Sequence, residues 1–412
     1  MKVLYDHQLI TWQKYGGISR YFYELMRNSK GLFEYDVSGI YCENEYVRQL
    51  RLHKEFPIKT SFKGKNRLIK YINRLNSKRK IKREKYDIIH PCSNDPYFLD
   101  IISKVPLSIA AYRDIYKKAP KFDYGSAIAN ESSLLEENIT SQENIVTLQS
   151  SSQNFEKQDY ILFTGQRRGY KNFDRFVEAV SPLLILYDIR LICTGYPFTK
   201  DESALLRKHK IDDRTISRFV PENELQDIYS GAILFVFPSL YEGFGFPILE
   251  AFASGCPVIL SNTSCFPEIA EDAAVYFDPY SVLDIRQKIE NVLLDVSLQS
   301  VVIKKGFEQV KKFSWRKTAE QTYQLYSRVL SLPANNKSHF VITVHDMIDE
   351  IFPEYSSSKN RTAFTKYILM RNADKIIAVS KNTKMDILKT YPEIDENKID
   401  VIHHGTSFNV KG

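Results

Sequence analysis

Short runs of β-branched and aromatic residues recur along the chain, each followed by a stretch with helical apolar spacing. Such alternation confines a chain to parallel α/β sheets, because parallel strands need helical crossovers to return to the same edge. Three series of these units are legible. The first has strands predicted at 2–6, 35–42 and 87–91. The second runs through 160–165, 190–195, 232–239, 257–262 and 274–279. It closes with helical patterns at 283–294, 298–312 and 315–330, the last with Ser314 placed to cap it. The third, at 340–346, 375–380 and 399–405, is too small to form a doubly wound domain alone, and the first is short of strands. Strand order in space need not follow chain order in a parallel sheet. The predicted organisation is therefore one Rossmann-like domain from residues 1–105 plus 339–412, a second from 158–330, and a polar, weakly periodic linker over 106–157. A chain of 412 residues is long enough for two such cores.

Several function classes fall away on the same evidence. The opening Met1-Lys-Val-Leu-Tyr-Asp6 meets charge before a secretory apolar region can form, and no apolar run approaches the roughly 20 residues that span a bilayer. The expected location is cytoplasmic. Cys42, Cys92, Cys193, Cys256 and Cys265 lack metal-ligand spacing and are expected to be reduced packing residues. The net charge of +7 is concentrated, since residues 51–85 carry 14 Lys or Arg against two Glu. Phe62, Leu68, Ile69, Tyr71, Ile72 and Leu75 interleave with those cations, which predicts a basic amphipathic helix suited to an anionic membrane surface. A solvated cationic helix face is the alternative. No nucleic-acid-binding motif accompanies the charge, so nucleic acid is not an expected partner.

The strongest motif is Pro238-Ser-Leu-Tyr-Glu-Gly-Phe-Gly-Phe-Pro-Ile-Leu-Glu-Ala251, which joins a predicted strand to a predicted helix. Its glycines, Gly243 and Gly245, let backbone approach a ligand, with Phe244 and Phe246 beside them and Pro247 suited to a first helical turn. The helix N-terminus then faces the crevice at the carboxyl ends of the strands, where free N–H groups and the helix dipole favour a diphosphate. Glu250 lies about one turn further on, placed to accept hydrogen bonds from ribose hydroxyls, and Glu242 stands eight residues before it.

This string, with Ser254-Gly-Cys-Pro-Val258 and Cys265-Phe-Pro-Glu-Ile269, resembles the retaining glycosyltransferases of family four, whose signature is a pair of glutamates separated by seven residues. The resemblance covers residues 158–330 and implies the GT-B architecture, two Rossmann-like domains facing a cleft. It places Glu250 on the nucleotide ribose and Glu242 near the transferred sugar. In Gln166-Arg-Arg-Gly-Tyr-Lys-Asn172 it assigns Arg167 and Lys171 to the leaving diphosphate, with Arg168 as an alternative to Arg167. Such cations supply electrostatic stabilisation where other enzymes use a metal. No Asp-x-Asp motif stands at a strand end, so neither metal nor cofactor is expected.

Tyr15-Gly-Gly-Ile-Ser-Arg-Tyr21 follows the first strand, and relatives place a similar Gly-Gly loop, here Gly16 and Gly17, against the donor. Thr343-Val-His-Asp-Met347 ends a strand where relatives carry a His-Asp pair, which implies His345 near the donor sugar with Asp346 beside it. His403 and His404 stand where relatives have Pro-Asn-Gly and are read as interdomain loop residues. The order of segments departs from the family, in which the Thr-Val-His-Asp block precedes the donor domain. A simple circular permutation would not produce this order. The expected activity is retaining transfer from a nucleoside diphosphate sugar to a saccharide or lipid-linked saccharide, similar to bacterial mannosyl- or rhamnosyl-type transferases of surface polysaccharide. Another GT-B chemistry, such as epimerisation, and a catalytically silent sugar-nucleotide binder remain as alternatives.

Overall fold

The computed structural model describes residues 1–11, 15–58, 60, 62, 64–102, 159–167, 169–333, 338–355 and 361–410. The linker expected at 106–157 lies outside these residues, as does Arg168.

Among the described residues, twelve strands form two six-stranded sheets, every strand pair parallel. The first sheet draws on both ends of the chain. It contains β1 (Lys2–Tyr5), β2 (Glu34–Val37) and β3 (Ile88–His90) together with β10 (His339–Val344), β11 (Lys375–Ala378) and β12 (Ile399–Val401), in the order β12-β11-β10-β3-β1-β2. The second contains β4 (Tyr160–Thr164), β5 (Arg190–Thr194), β6 (Thr215–Arg218), β7 (Leu234–Phe237), β8 (Val258–Ser261) and β9 (Val275–Phe277), in the order β6-β5-β4-β7-β8-β9. Helices that bear on the site are α1 (Gly17–Asn28), α2 (Lys65–Arg83), α3 (Phe173–Leu186), α4 (Phe246–Ala253), α5 (Trp315–Leu330), α6 (Arg361–Asn372) and α7 (Lys381–Thr390). Of these strands only β6 was not foreseen, because Thr-Ile-Ser-Arg at a sheet edge carries a single large apolar residue.

Strand alternation divides each core into two layers, as a sheet covered on both faces requires. Leu4, Ile89, Phe340, Ile342 and Ile376 face one side of the first sheet, and Val3, Tyr5, Ile88, Val341 and Ile377 face the other. In the second sheet Leu162, Phe235 and Phe237 oppose Ile161, Phe163, Leu234 and Val236. All five cysteines are buried free thiols within these cores.

Ser314 caps α5 by accepting a hydrogen bond from Lys317 N. The buried face of α5, with Trp315, Ala319, Leu325, Tyr326 and Val329, joins the core of the first sheet rather than the second. A polar network anchors it there. Tyr326 Oη lies 2.6 Å from His90 Nδ1 and 3.3 Å from Tyr5 Oη, while His90 Nε2 meets Thr343 Oγ1 at 2.9 Å. Burial holds His90 down to about 3, so it stays neutral and both ring nitrogens are satisfied.

The basic helix α2 packs in an unexpected sense. Its inward positions are Ile69, Asn73, Ser77 and Ile81, and the two polar residues bind the chain after β2. Asn73 Oδ1 accepts from Ile40 N and Tyr41 N at 2.8 and 3.0 Å, and Ser77 Oγ pairs with the hydroxyls of Ser38 and Tyr97. Because polar groups occupy the inner face, Leu68, Tyr71 and Leu75 are left exposed on the outer one.

The loop after β12 lies against the start of α5, and Gly405 makes the approach possible. A Cβ there would stand 2.1 Å from Trp315 N and 2.4 Å from Ser314 C, backbone atoms that have no rotamer to change. Gly405→Ala is therefore expected to cost about 1–3 kcal/mol, the usual penalty for overpacking, read as a lower midpoint in denaturant unfolding.

Candidate active site

The carboxyl ends of both sheets meet at one seam. From β7 the chain runs through 238–245 into α4, whose N-cap is Gly245 in the left-handed region (φ 89°), with Pro247 in the first turn. Gly243 is the point of closest approach to the first sheet. A Cβ on Gly243 would lie 1.7 Å from His345 O, so no other residue fits without parting the seam. Its carbonyl accepts hydrogen bonds from Ser380 Oγ at 2.7 Å and Thr383 Oγ1 at 3.3 Å, at the N-terminus of α7. Glu268 repeats the contact from the second sheet. Its carboxylate accepts from Lys381 N and Asn382 N at 2.7 and 3.0 Å and pairs with His403 Nε2 at 2.6 Å. These hydrogen bonds hold its carboxyl below the ordinary range despite partial burial.

The helix N-termini converge here. Gly16 caps α1, and a Cβ on Gly17 would make ordinary contact, 3.6 Å, with the Phe246 ring that opens α4. The positive dipole ends of two helices thus share one region. An aromatic cluster supports it. His404 stacks flat on Phe246 with centroids 4.8 Å apart, and Phe244, Tyr21 and Trp315 surround the imidazole at 4.7, 4.7 and 5.7 Å.

Glu242 and Lys171 form a close ion pair, Nζ to Oε1 2.5 Å, with both side chains largely buried. Lys171 ends the 3₁₀ turn Gly169–Lys171 that follows β4. Glu250 sits in the second turn of α4 and is 5% exposed. It pairs with Arg20 Nη1 through Oε1 and accepts from Tyr229 Oη, 3.0 Å, through Oε2. Arg167 is turned away from this group. Its guanidinium faces Glu202 at 3.3 Å, donates to Tyr196 O and Pro197 O at 2.5 and 3.2 Å, and lies over the Phe198 ring.

His345 follows β10. Burial, assisted by the Lys366 charge and opposed by Asp346, pushes its pKa down to about 4, and its Nε2 is buried without a hydrogen-bond partner. Its neighbour Asp346 accepts from Ile348 N at 3.2 Å through Oδ1. Behind the loop stands Lys366 of α6, which donates to Asp346 O and to Glu350 Oε2, both at 2.9 Å. Of the residues singled out from sequence, Gly16, Gly17, Glu242, Gly243, Phe244, Gly245, Phe246, Glu250, Lys171, His345 and Asp346 line this one seam, and Arg167 is directed to the loop after β5.

His404, read from sequence as an interdomain loop residue, does lie between the halves, whereas Arg20, Tyr229 and Lys366 have no part in the sequence reading. Arg20 stood inside the Gly-Gly string, three residues after Gly17, but nothing in its spacing pointed to Glu250, 230 residues away. Lys366 is 4% exposed, so removing its charge leaves Glu350 buried and unpaired. Lys366→Met is expected to cost about 3–5 kcal/mol in equilibrium unfolding, and Lys366→Met with Glu350→Leu should recover most of it.

Two family models match the chain: glycosyl transferases group 1 over residues 146–309, and glycosyltransferase family 4 over residues 321–409. The O-antigen chain mannosyltransferase B of Escherichia coli is 34% identical over 174 residues, 41% of this chain and 46% of that protein. The O-antigen chain mannosyltransferase RfbU of Salmonella typhimurium is 26% identical over 199 residues, 48% of this chain and 56% of that protein. The matched stretches thus span about half the length of these two relatives. A glycosyltransferase from Rickettsia africae ESF-5, 16% identical, shares the fold over 81% of this chain and 99% of its own, with a TM-score of 0.52. With both models matched in tandem and two six-stranded parallel sheets meeting at a common seam, the chain belongs to the group 1, family 4 glycosyltransferases of GT-B fold.

Proposed function

We propose that this chain transfers a sugar, with retention of anomeric configuration, from a nucleoside diphosphate sugar to a hydroxyl of a saccharide or lipid-linked saccharide in bacterial surface polysaccharide synthesis. The observation that carries the reading is the convergence of the Lys171–Glu242 pair, Glu250 and the N-termini of α1 and α4 on one seam. Glu250 receives the ribose, and the helix N-termini with Gly16, Gly17, Gly243 and Gly245 receive the diphosphate on backbone N–H groups. Lys171 and Arg167 stabilise charge as the bond from sugar to phosphate breaks, Arg167 by leaving Glu202 when the donor arrives. His345 is neutral well above pH 4, so its Nε2 meets a sugar hydroxyl as a neutral imidazole. Glu242 and Asp346 flank the transferred sugar. The acceptor oxygen attacks from the face that the diphosphate leaves, and a diphosphate oxygen takes the hydroxyl proton. The two Escherichia coli and Salmonella typhimurium relatives bear the name mannosyltransferase, which favours a mannosyl donor.

A panel of nucleoside diphosphate sugars with saccharide acceptors tests this. Free nucleoside diphosphate should appear only when acceptor is present, which an epimerase would not require. Lys171→Ala should lower turnover roughly 10²–10³-fold while changing donor affinity much less. Donor binding without transfer to any acceptor would favour a silent sugar-nucleotide binder.

The chain also docks on the inner, anionic face of a membrane through α2. No helix among the described residues is long and apolar enough to cross a membrane. The outer face of α2 combines Leu68, Tyr71 and Leu75 with Arg67, Arg79, Lys82 and Arg83, and the helix holds nine Lys or Arg and no acid. Apolar side chains enter the acyl boundary while each cation near the surface adds about 1 kcal/mol. Cosedimentation with anionic vesicles that weakens with salt is expected. Equal sedimentation with neutral vesicles, or none with either, would discard the membrane surface.

A further inference from the structure

Both carboxylate oxygens of Glu250 have a protein partner. Its Oε1 pairs with Arg20 and its Oε2 with the Tyr229 hydroxyl, and it is only 5% exposed. Each oxygen could accept a further hydrogen bond, but at 5% exposure a ribose hydroxyl reaches this carboxylate only if one of its partners moves aside. Tyr229 cannot readily leave, because it lies in the same half as Glu250, is fully buried and packs edge-on against Phe235 at 5.4 Å. Arg20 lies on α1 in the other half, so parting the seam withdraws it. The movable partner is Arg20.

A guanidinium that is 7% exposed cannot be left without an anion. Glu222 Oε1 stands 3.3 Å from Arg20 Nε, but that nitrogen makes no hydrogen bond, and the Glu222 side chain is 39% exposed, so it is a loose partner at the solvent edge. Arg20 has capacity to spare, since its planar fork carries five N–H donors. Its position matters as much. It stands in the first turn of α1, and its guanidinium carbon is 5.8 Å from the centre of the Phe246 ring that opens α4. The cation therefore sits between the two helix N-termini that favour an anion.

We propose that Arg20 is a donor-binding residue that exchanges partners: on donor arrival it yields Glu250 to the ribose and takes the diphosphate through its guanidinium fork. This rests on the reading of the seam as a nucleoside diphosphate site and adds to it a third cation, supplied by the first sheet. The exchange makes ribose recognition and diphosphate binding a single event.

Calorimetric titration of the full chain with a nucleoside diphosphate and with the matching nucleoside separates the possibilities. Arg20→Gln should weaken diphosphate binding roughly 10- to 100-fold, the loss of charge-assisted hydrogen bonds, while nucleoside binding changes by no more than about threefold. Arg20→Lys, which keeps the charge without the fork, should fall between and guards against a folding defect. Equal losses for both ligands would overturn the proposal in favour of a structural ion pair, and unchanged or tighter diphosphate binding would make Arg20 only a latch on Glu250. Failure of the unsubstituted protein to bind either ligand would instead overturn the reading of the site on which the proposal rests.

Discussion

The pairing of β3 with β10 governs the first half of the molecule and, through it, the seam. Ile88 lies opposite His339 and Ile89 opposite Phe340, a short register between segments about 250 residues apart. Without it β10, β11 and β12 would have no sheet to extend, and β1, β2 and β3 would lack the strands that complete their cores. The pairing also sets where β10 ends. His345 and Asp346 emerge at the same edge as the residues following β1 and β3, so that Gly243 finds the His345 carbonyl at closest approach. Loop-closure cost grows only logarithmically with length, so burial of Ile88, Ile89, Phe340 and Ile342 offsets the entropy of joining distant segments.

Charge is placed at the seam on a different principle from the one that builds the cores. Arg20 with Glu250, Lys171 with Glu242, and Lys366 with Glu350 are ion pairs shielded from solvent. Such pairs add little net stability, because desolvation cancels much of the Coulomb attraction. Their value lies in geometry. Each holds a carboxylate or a cation in one orientation inside a region that apolar residues could have filled, and two of the three lie where the donor is proposed to bind. Lys366 differs in acting behind the site, fixing the backbone at Asp346.

Gly243 and Glu268 add directional groups to the aromatic contacts between the two halves. The Gly243 carbonyl and the Glu268 carboxylate both serve the N-terminal end of α7, the first by accepting from Ser380 and Thr383 side chains and the second from backbone N–H groups. Hydrogen bonds of this kind exchange readily with water. The seam also carries apolar contacts, since Tyr241 packs into the core of the first sheet and Val379 into that of the second.

Most strands and the glutamate string were legible because strand periodicity, turn glycines and capping residues act over a few neighbouring positions. Ser314 was readable as the cap of α5 for that reason, and Gly243, Gly245 and Pro247 as a strand-to-helix turn. What tertiary structure decided concerns partners. The packing of α5 on the first sheet, the outward turn of Leu68, Tyr71 and Leu75, the diversion of Arg167 to Glu202, and the capture of Glu250 by Arg20 all depend on groups far away in sequence. Amphipathic spacing states that a helix has an apolar face but not which surface will cover it, and α2 shows polar residues taking the inner face because they satisfy the backbone at Ile40 and Tyr41. A sequence determines local conformation and the chemical types available, whereas which charge meets which is settled only when two sheets bring their strand ends together.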